Sequence, residues 1–224
     1  MALIGQTLPS LLDVYSRTDK NGRIAKIVEQ LAKSNDVITD AIYVPCNDGS
    51  KHKTTIRTGL PAAAWRMLNY GVQPSKSTTK QVDDTCGMLE AYAEVDKNLA
   101  DLNGNTAAFR LSEDRAFLEA MNQGMAETLF FGDTSKNPER FLGLAPRFST
   151  LNKTKAASAE NVINGGAATG SDNASIYLVG WGQNSIYGIY PKGSKAGFQH
   201  NDLGEVTLTD GNGGRYQGYR THYK

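Results

Sequence analysis

At 224 residues the chain is long enough for one sizeable core or for two modest lobes joined by an extended arm. Lys and Arg number 24 against 23 for Asp and Glu, so no overall basic excess draws it to nucleic acid or an anionic membrane. With two cysteines and no Cys-x-x-Cys spacing, no apolar run of about 18 residues and no signal-like start, the expectation is a soluble, unsecreted protein with two reduced thiols, Cys46 and Cys86.

In chain order, Thr7-Leu8-Pro9-Ser10 reads as a helix start with Leu8, Leu11 and Leu12 as a short apolar face. Ile24, Ile27, Val28 and Leu31 then recur at helical spacing, and Ser34-Asn35-Asp36 ends or re-caps that helix. From Ala41 the character turns to β. Ile42-Tyr43-Val44 and Thr54-Thr55-Ile56 flank the polar cluster Asn47-Asp48-Gly49-Ser50 and read as a hairpin. Breakers at Gly59, Pro61, Gly71 and Pro74 forbid a long helix, and Ser77 to Val82 is extended. The segment as a whole reads as a long β excursion with little core of its own.

A long helix follows Asn105 as cap and ends before Gly132, with Leu111, Leu118, Met121, Met125 and Leu129 as its apolar stripe. At 1.5 Å per residue it is roughly 35–40 Å long. Gly124 in its middle costs about 1 kcal/mol relative to Ala and marks either a break or a close contact. Small and polar residues from Ser149 to Asn173 form a flexible seam. Beyond it, Ile176-Tyr177-Leu178-Val179 and Ile186 to Tyr190 read as one hairpin, and Val206 to Thr209 with Arg215 to Tyr219 as another.

Chemistry-bearing groups do not converge. Gly165 to Ser171 has the glycine and serine spacing of a phosphate loop but lacks its lysine, so an enzyme using nucleotides there is the weaker alternative. His200 and Asp202 are two ligands where a metal needs more, Cys46 beside His52 has no orienting third group, and the histidines read as exposed loop residues. No enzyme activity, cofactor or metal is expected. The charge is uneven, however. Lys51, Lys53, Arg57, Arg66, Lys76 and Lys80 stand in a stretch without acids, whereas Asp83, Asp84, Glu90, Glu94, Asp96, Asp101, Glu113 and Asp114 face only Lys97 and Arg110. Such blocks are either solvated faces or complementary patches on neighbouring copies. Trp65 and Tyr70 among Arg57 and Arg66 could stack on bases, but aromatic anchors that dock an extended arm on a neighbour explain them better.

Several strings carry a resemblance. Arg57-Thr58-Gly59-Leu60-Pro61, Trp65-Arg66, Leu68-Asn69-Tyr70-Gly71-Val72 and Pro74-Ser75-Lys76-Ser77-Thr78 come first. Gly87 to Asp96, Leu99-Ala100-Asp101-Leu102, Phe130-Phe131-Gly132-Asp133 and Phe141-Leu142-Gly143-Leu144 follow in that order. With Tyr177 to Gly182 and Gly188 to Ser194, they make the chain resemble the major capsid proteins of tailed bacteriophages, of the Hong Kong ninety-seven type and a podophage-like branch.

That resemblance implies an α+β fold: an N-terminal arm over 1–40, an extended β loop over 41–88, a peripheral domain over 89–145 with a spine helix at about 105–131, an axial domain over 146–204 and a β-hairpin over 205–224. Family members usually continue past this point, so the chain reads as partial at its C-terminus. The implied function is self-assembly into an icosahedral shell enclosing double-stranded DNA. The implied partners are hexamers and pentamers of itself, scaffold, portal and decoration proteins, and non-specifically contacted DNA; its place is the virion, after assembly in the host cytoplasm. A tail-tube or decoration subunit is the other structural reading and would lack the long helix. The expected inter-subunit contacts are Lys51, Lys53, Arg57, Trp65, Arg66, Leu68, Tyr70, Lys76 and Lys80, meeting Asp83, Asp84, Glu90 and Glu94.

Overall fold

The computed structural model describes residues 8–19, 35–166, 174–195 and 197–224. Among them the elements are α1 (Leu11–Arg17), α2 (Asp36–Asp40), β1 (Tyr43–Pro45), β2 (Lys51–Gly59), β3 (Thr78–Thr85), β4 (Ala91–Asp96), α3 (Lys97–Ala100), α4 (Thr106–Phe131), α5 (Leu144–Arg147), β5 (Gly188–Tyr190), β6 (His200–Thr209) and β7 (Arg215–Tyr223). The helix expected around Ile24 to Leu31, and most of the Gly165 to Ser171 loop, lie outside the described residues. None of the described helices is long and apolar enough to cross a membrane.

The chain divides into two units. The first takes the described residues within 1–36, 88–126 and 197–224, and the second takes 37–87 and 127–196.

The first unit is built on an antiparallel sheet in the order β4-β7-β6. β6 and β7 form the anticipated hairpin, whose turn is held by the Asp210 carboxylate accepting from the Asn212 and Gly214 backbone N–H groups. β7 then inserts between its hairpin partner and β4, with Ala91 opposite Tyr223 and Asp96 opposite Gly218. The core gathers Val14 of α1, Val95 of β4, Ala100 of α3 and Phe109 of α4, flanked by Leu99 and Tyr219. A second layer centres on Tyr223, fully buried, with the rings of Phe117, Phe198 and His200 against it. Its hydroxyl donates to Asp114, and burial pushes its ionisation well above the usual phenol range.

Two expectations about helices need correction here. α1 begins after Ser10, whose backbone N–H and hydroxyl both donate to the Asp13 carboxylate at 2.7 Å, so Pro9 precedes the cap instead of opening the first turn. Its buried residue is Val14, while Leu8, Leu11 and Leu12 are exposed. In α4 the cap at Asn105 and the end before Gly132 stand, Asn105 offering its carbonyl to Phe109 N–H at 2.9 Å. The expected apolar stripe is covered only in part: Met121 and Leu129 are half-buried. Leu111, Leu118 and Met125 are exposed, and the buried residue is Phe109, about 200° round the helix from Leu111 at 3.6 residues per turn. Polar side chains also tie the helix to its unit: Glu113 pairs with Arg17, Asp114 accepts from Tyr223, and Arg110 reaches Asp202 at 2.5 Å. The helix runs unbroken through Gly124, where an added methyl would lie 4.0 Å from Leu89.

The second unit contains the β2–β3 hairpin and a parallel β1–β5 pair. Here the sequence expectation fails twice. β1 does not pair with the strand after the Asn47–Ser50 turn; its partner is β5, with Tyr43 opposite Gly188 and Pro45 opposite Tyr190. Residues 174–180 form no strand, so the expected hairpin between 176–179 and 186–190 is absent, and Ile186 makes only a single bridge to Trp181. The turn cluster works instead as a cap on β2, with the Asn47 side chain bonded to both the N–H and the carbonyl of Lys53 at 2.8 Å. The backbone after α4 is closed tightly. Gly143 N–H donates to the Gly132 carbonyl at 2.8 Å, and a methyl on Gly132 would lie 2.4 Å from the Phe141 carbonyl oxygen. The glycines of the Phe-Phe-Gly-Asp and Phe-Leu-Gly-Leu strings are therefore explained by close backbone approach.

Candidate assembly surface

The β2–β3 hairpin pairs Lys51 with Thr85, Lys53 with Asp83, Thr54 with Val82 and Ile56 with Lys80, and a bulge between Arg57 and Gly59 precedes the tip. Strand alternation puts His52, Thr54, Val82 and Asp84 on one half-covered face. The base of that face is held by its own unit: His52 Nε2 meets the Tyr187 hydroxyl at 3.0 Å, and Arg147 reaches Asp84 at 2.5 Å. Among the described residues nothing comparable holds the tip.

Every residue from Leu60 to Lys76 is exposed. The tip keeps its shape by three local contacts. Ser75 Oγ donates to the Ala62 carbonyl at 2.8 Å, Thr58 and Thr78 hydroxyls meet at 3.2 Å, and Tyr70 N–H donates to the Met67 carbonyl at 3.2 Å. That last turn sets Asn69 at φ 67°, a left-handed conformation that Asn tolerates better than most residues. The surface so displayed carries Leu60, Trp65, Met67, Leu68, Tyr70 and Val72, with Trp65 fully exposed.

The charged candidates sort into two groups. Lys53 pairs with Asp48 at 2.7 Å, a charged hydrogen bond that raises the lysine's pKa and lowers the aspartate's, and Asp83 sits opposite Lys53 in the ladder. Asp84 is taken by Arg147. In the first unit Glu94 is held by Arg220 at 2.6 Å, and Glu90 accepts from Lys224 at 2.9 Å and His222 at 3.3 Å, hydrogen bonds that hold its pKa below the usual carboxylate value. By contrast, Lys51, Arg57, Arg66, Lys76 and Lys80 form no ion pair among the described residues. Ile163, Ile176 and Leu178 of the second unit are also almost fully exposed. Composition hid them because they flank a glycine-rich run read only as a seam.

The histidines are not loop residues. His52 lies in β2, His200 opens β6, and His222 lies in β7, stacked on Tyr92 at 4.4 Å. In the first unit a cleft of about 780 Å³ is lined by Asp13, Arg17, Glu94 and Glu113 among others, but Arg17 pairs with Glu113, Asp13 with Ser10 and Glu94 with Arg220. Among the described residues no three His, Cys, Asp or Glu side chains gather as a metal site requires.

The major capsid protein GP7 family matches residues 19–224. The chain belongs to this family. GP7-type capsid proteins are structural proteins of tailed bacteriophages, and the α+β fold here is of the Hong Kong ninety-seven-like kind. A solved chain of bacteriophage epsilon15, derived from cryo-EM and modeling, is 59% identical with a TM-score of 0.64, covering 100% of this chain and 66% of that one. The chain thus spans just under two thirds of that relative's length. A chain of Mycobacterium phage Adephagia matches at 12% identity and a TM-score of 0.48, over 99% of this chain and 90% of that one. One from the capsid of a native GTA particle matches at 9% and 0.42, over 92% and 89%. No curated protein matches.

Proposed function

We propose that this chain builds a phage head: copies of it tile an icosahedral shell around double-stranded DNA, which the shell encloses without reading. In this reading residues 1–40 are an N-terminal arm, 41–88 the extended loop, 89–145 the peripheral domain and 146–204 the axial domain. The β-hairpin over 205–224 shares a unit with 88–126, where β7 pairs with β4. Each subunit engages several neighbours, so individually modest contacts add through effective concentration and symmetry. The protein resides in the virion after assembly in the host cytoplasm, alongside scaffold, portal and decoration proteins.

The carrying observation is the tip from Leu60 to Lys76, exposed throughout yet rich in large apolar side chains. Ordering such a segment costs conformational entropy, which only burial against another surface repays. An aromatic side chain covers roughly 150–250 Å² when buried, a gross gain of about 4–6 kcal/mol at ~25 cal/mol per Å². Trp65 and Tyr70 are therefore the anchors, with Leu68 beside them. Lys51, Arg57, Arg66, Lys76 and Lys80 face the acidic surface of an adjacent copy. At about 0–1 kcal/mol per exposed pair they set register more than affinity. Asp84, Glu90 and Glu94, already paired in the chain, lend field more than new bonds.

Replacing Trp65 and Tyr70 together by Ala reduces the yield of closed shells in negative-stain images by tenfold or more (on the order of the interface energy lost) while leaving the subunit folded. An unchanged particle yield from that double variant, in a preparation where the parent assembles, sinks the anchoring role.

A further inference from the structure

At the base of the β2–β3 hairpin, Cys46 follows β1 and Cys86 follows β3, and their sulfur atoms lie 3.4 Å apart across 40 residues of chain. Backbone bonds hold both in place. Cys46 N–H donates to the Tyr190 carbonyl at 2.8 Å, and Cys86 N–H donates to the Ser50 carbonyl at 3.1 Å. The Cys86 thiol also donates to the Ile189 carbonyl at 3.7 Å. Both thiols are free; Cys46 is buried and Cys86 is half-buried. Sulfurs in a disulfide sit about 2.05 Å apart, so closure asks for a movement on the scale of a side-chain rotation.

We propose that Cys46 and Cys86 form an oxidisable pair, closed into an intramolecular disulfide by a small-molecule disulfide that reaches Cys86 first. The Cys86 thiolate attacks one sulfur of oxidised glutathione, forming a mixed disulfide and expelling one glutathione thiolate. The Cys46 thiolate then attacks the Cys86 sulfur and expels the second. The two electrons lost by the cysteines reduce the small disulfide to two thiols, and the two cysteine protons end on the expelled thiolates. Exposure sets this order, since the buried Cys46 is poorly placed to meet the reagent. Burial and the neighbouring Cys46 push the Cys86 thiol up to about 12, so thiolate is scarce at neutral pH and closure is slow.

The closed form ties the exit of β1 to the exit of β3 and so pins the foot of the hairpin whose tip makes the proposed contacts. In a reducing cytoplasm the pair stays open; in oxidising surroundings after lysis it closes. That consequence rests on the shell reading, whereas the thiol chemistry does not. The test therefore uses the unassembled full chain in glutathione redox buffers, quenched with an alkylating agent and weighed intact. The parent becomes a monomer lighter by two hydrogens, closed to alkylation and free of glutathione. Cys46→Ala stops at a single adduct, and Cys86→Ala takes up none while native. The effective concentration of one thiol at the other exceeds that in the urea-unfolded chain by about tenfold or more. Stable adducts or linked dimers as the parent's main products, no reaction, or a native chain no better than the unfolded one would overturn the pair. Failure to form shells would leave the result standing.

Discussion

The β4-β7-β6 sheet with its helices and the tip of the β2–β3 hairpin treat the same kinds of side chain in opposite ways. In the sheet unit Phe109 and Tyr223 are buried, and the charged groups around them are paired: Arg17 with Glu113, Arg110 with Asp202, Arg220 with Glu94. At the tip Trp65, Leu68 and Tyr70 lie open, and neighbouring Arg57, Arg66 and Lys76 have no acidic partner among the described residues. One region has satisfied its chemistry internally; the other leaves it open among the described residues. Under the proposed function, the contrast separates residues that stabilise the subunit from residues that join subunits.

Substitutions break or sharpen that contrast in a definite order. Phe109→Ala, at the centre of the first core, lowers unfolding free energy by about 3–5 kcal/mol in a denaturant titration, enough to unfold a marginal unit. Gly132→Ala places a methyl 2.4 Å from the Phe141 carbonyl oxygen and costs about 1–3 kcal/mol by the same measurement, showing that the second unit is tightly built away from the tip.

Acid acts more gently. Asp202 is held below its ordinary value of 3.8 by the Arg110 guanidinium, and Glu90 below 4.5 by Lys224 and His222. Because both folded values are depressed, their stabilisation is fully present above those ordinary values and is lost as pH falls through the lowered ones. Denaturant midpoints measured across that acid range fall, and Arg110→Gln flattens the part due to Asp202. The smallest effect is the most telling: Trp65→Ala shifts subunit stability by no more than about 0.5 kcal/mol although it removes the largest side chain of the tip. A large loss of subunit stability from that change would mean that the tip belongs to the chain's own core.

Local patterns were legible where local physics decides. The α4 ends followed from Asn105 and Gly132, the β6–β7 hairpin from its Asp-Gly-Asn-Gly-Gly turn, and the β3 strand from its extended composition. The seat of α4 was not legible, because the helix is tied to its unit by Glu113, Asp114 and Arg110, whose partners Arg17, Tyr223 and Asp202 are 96, 109 and 92 residues away. A hydrophobic count selects the stripe of Leu111, Leu118, Met121, Met125 and Leu129, of which Leu111, Leu118 and Met125 are exposed. Likewise, Ile42-Tyr43-Val44 announces a strand but not its partner, and the parallel match to Gly188–Tyr190 depends on a distant part of the chain. The two thiols looked like unrelated reduced cysteines, since nothing in a 40-residue separation says that two strand exits coincide.

Sequence alone determined the inventory of this protein: a long capped helix, an aromatic and basic β arm, a β-rich remainder, and ordered strings that resemble tailed-phage capsid proteins. Those features are read within a turn or a few strand residues, where backbone geometry and propensity act. Tertiary structure alone decided that β1 pairs with β5 and β4 with β7, which face of α4 is covered, which charges are already spoken for and that Cys46 meets Cys86. Each of these is a contact between residues far apart in the chain, and its energy exists only after the backbone has closed the intervening loop.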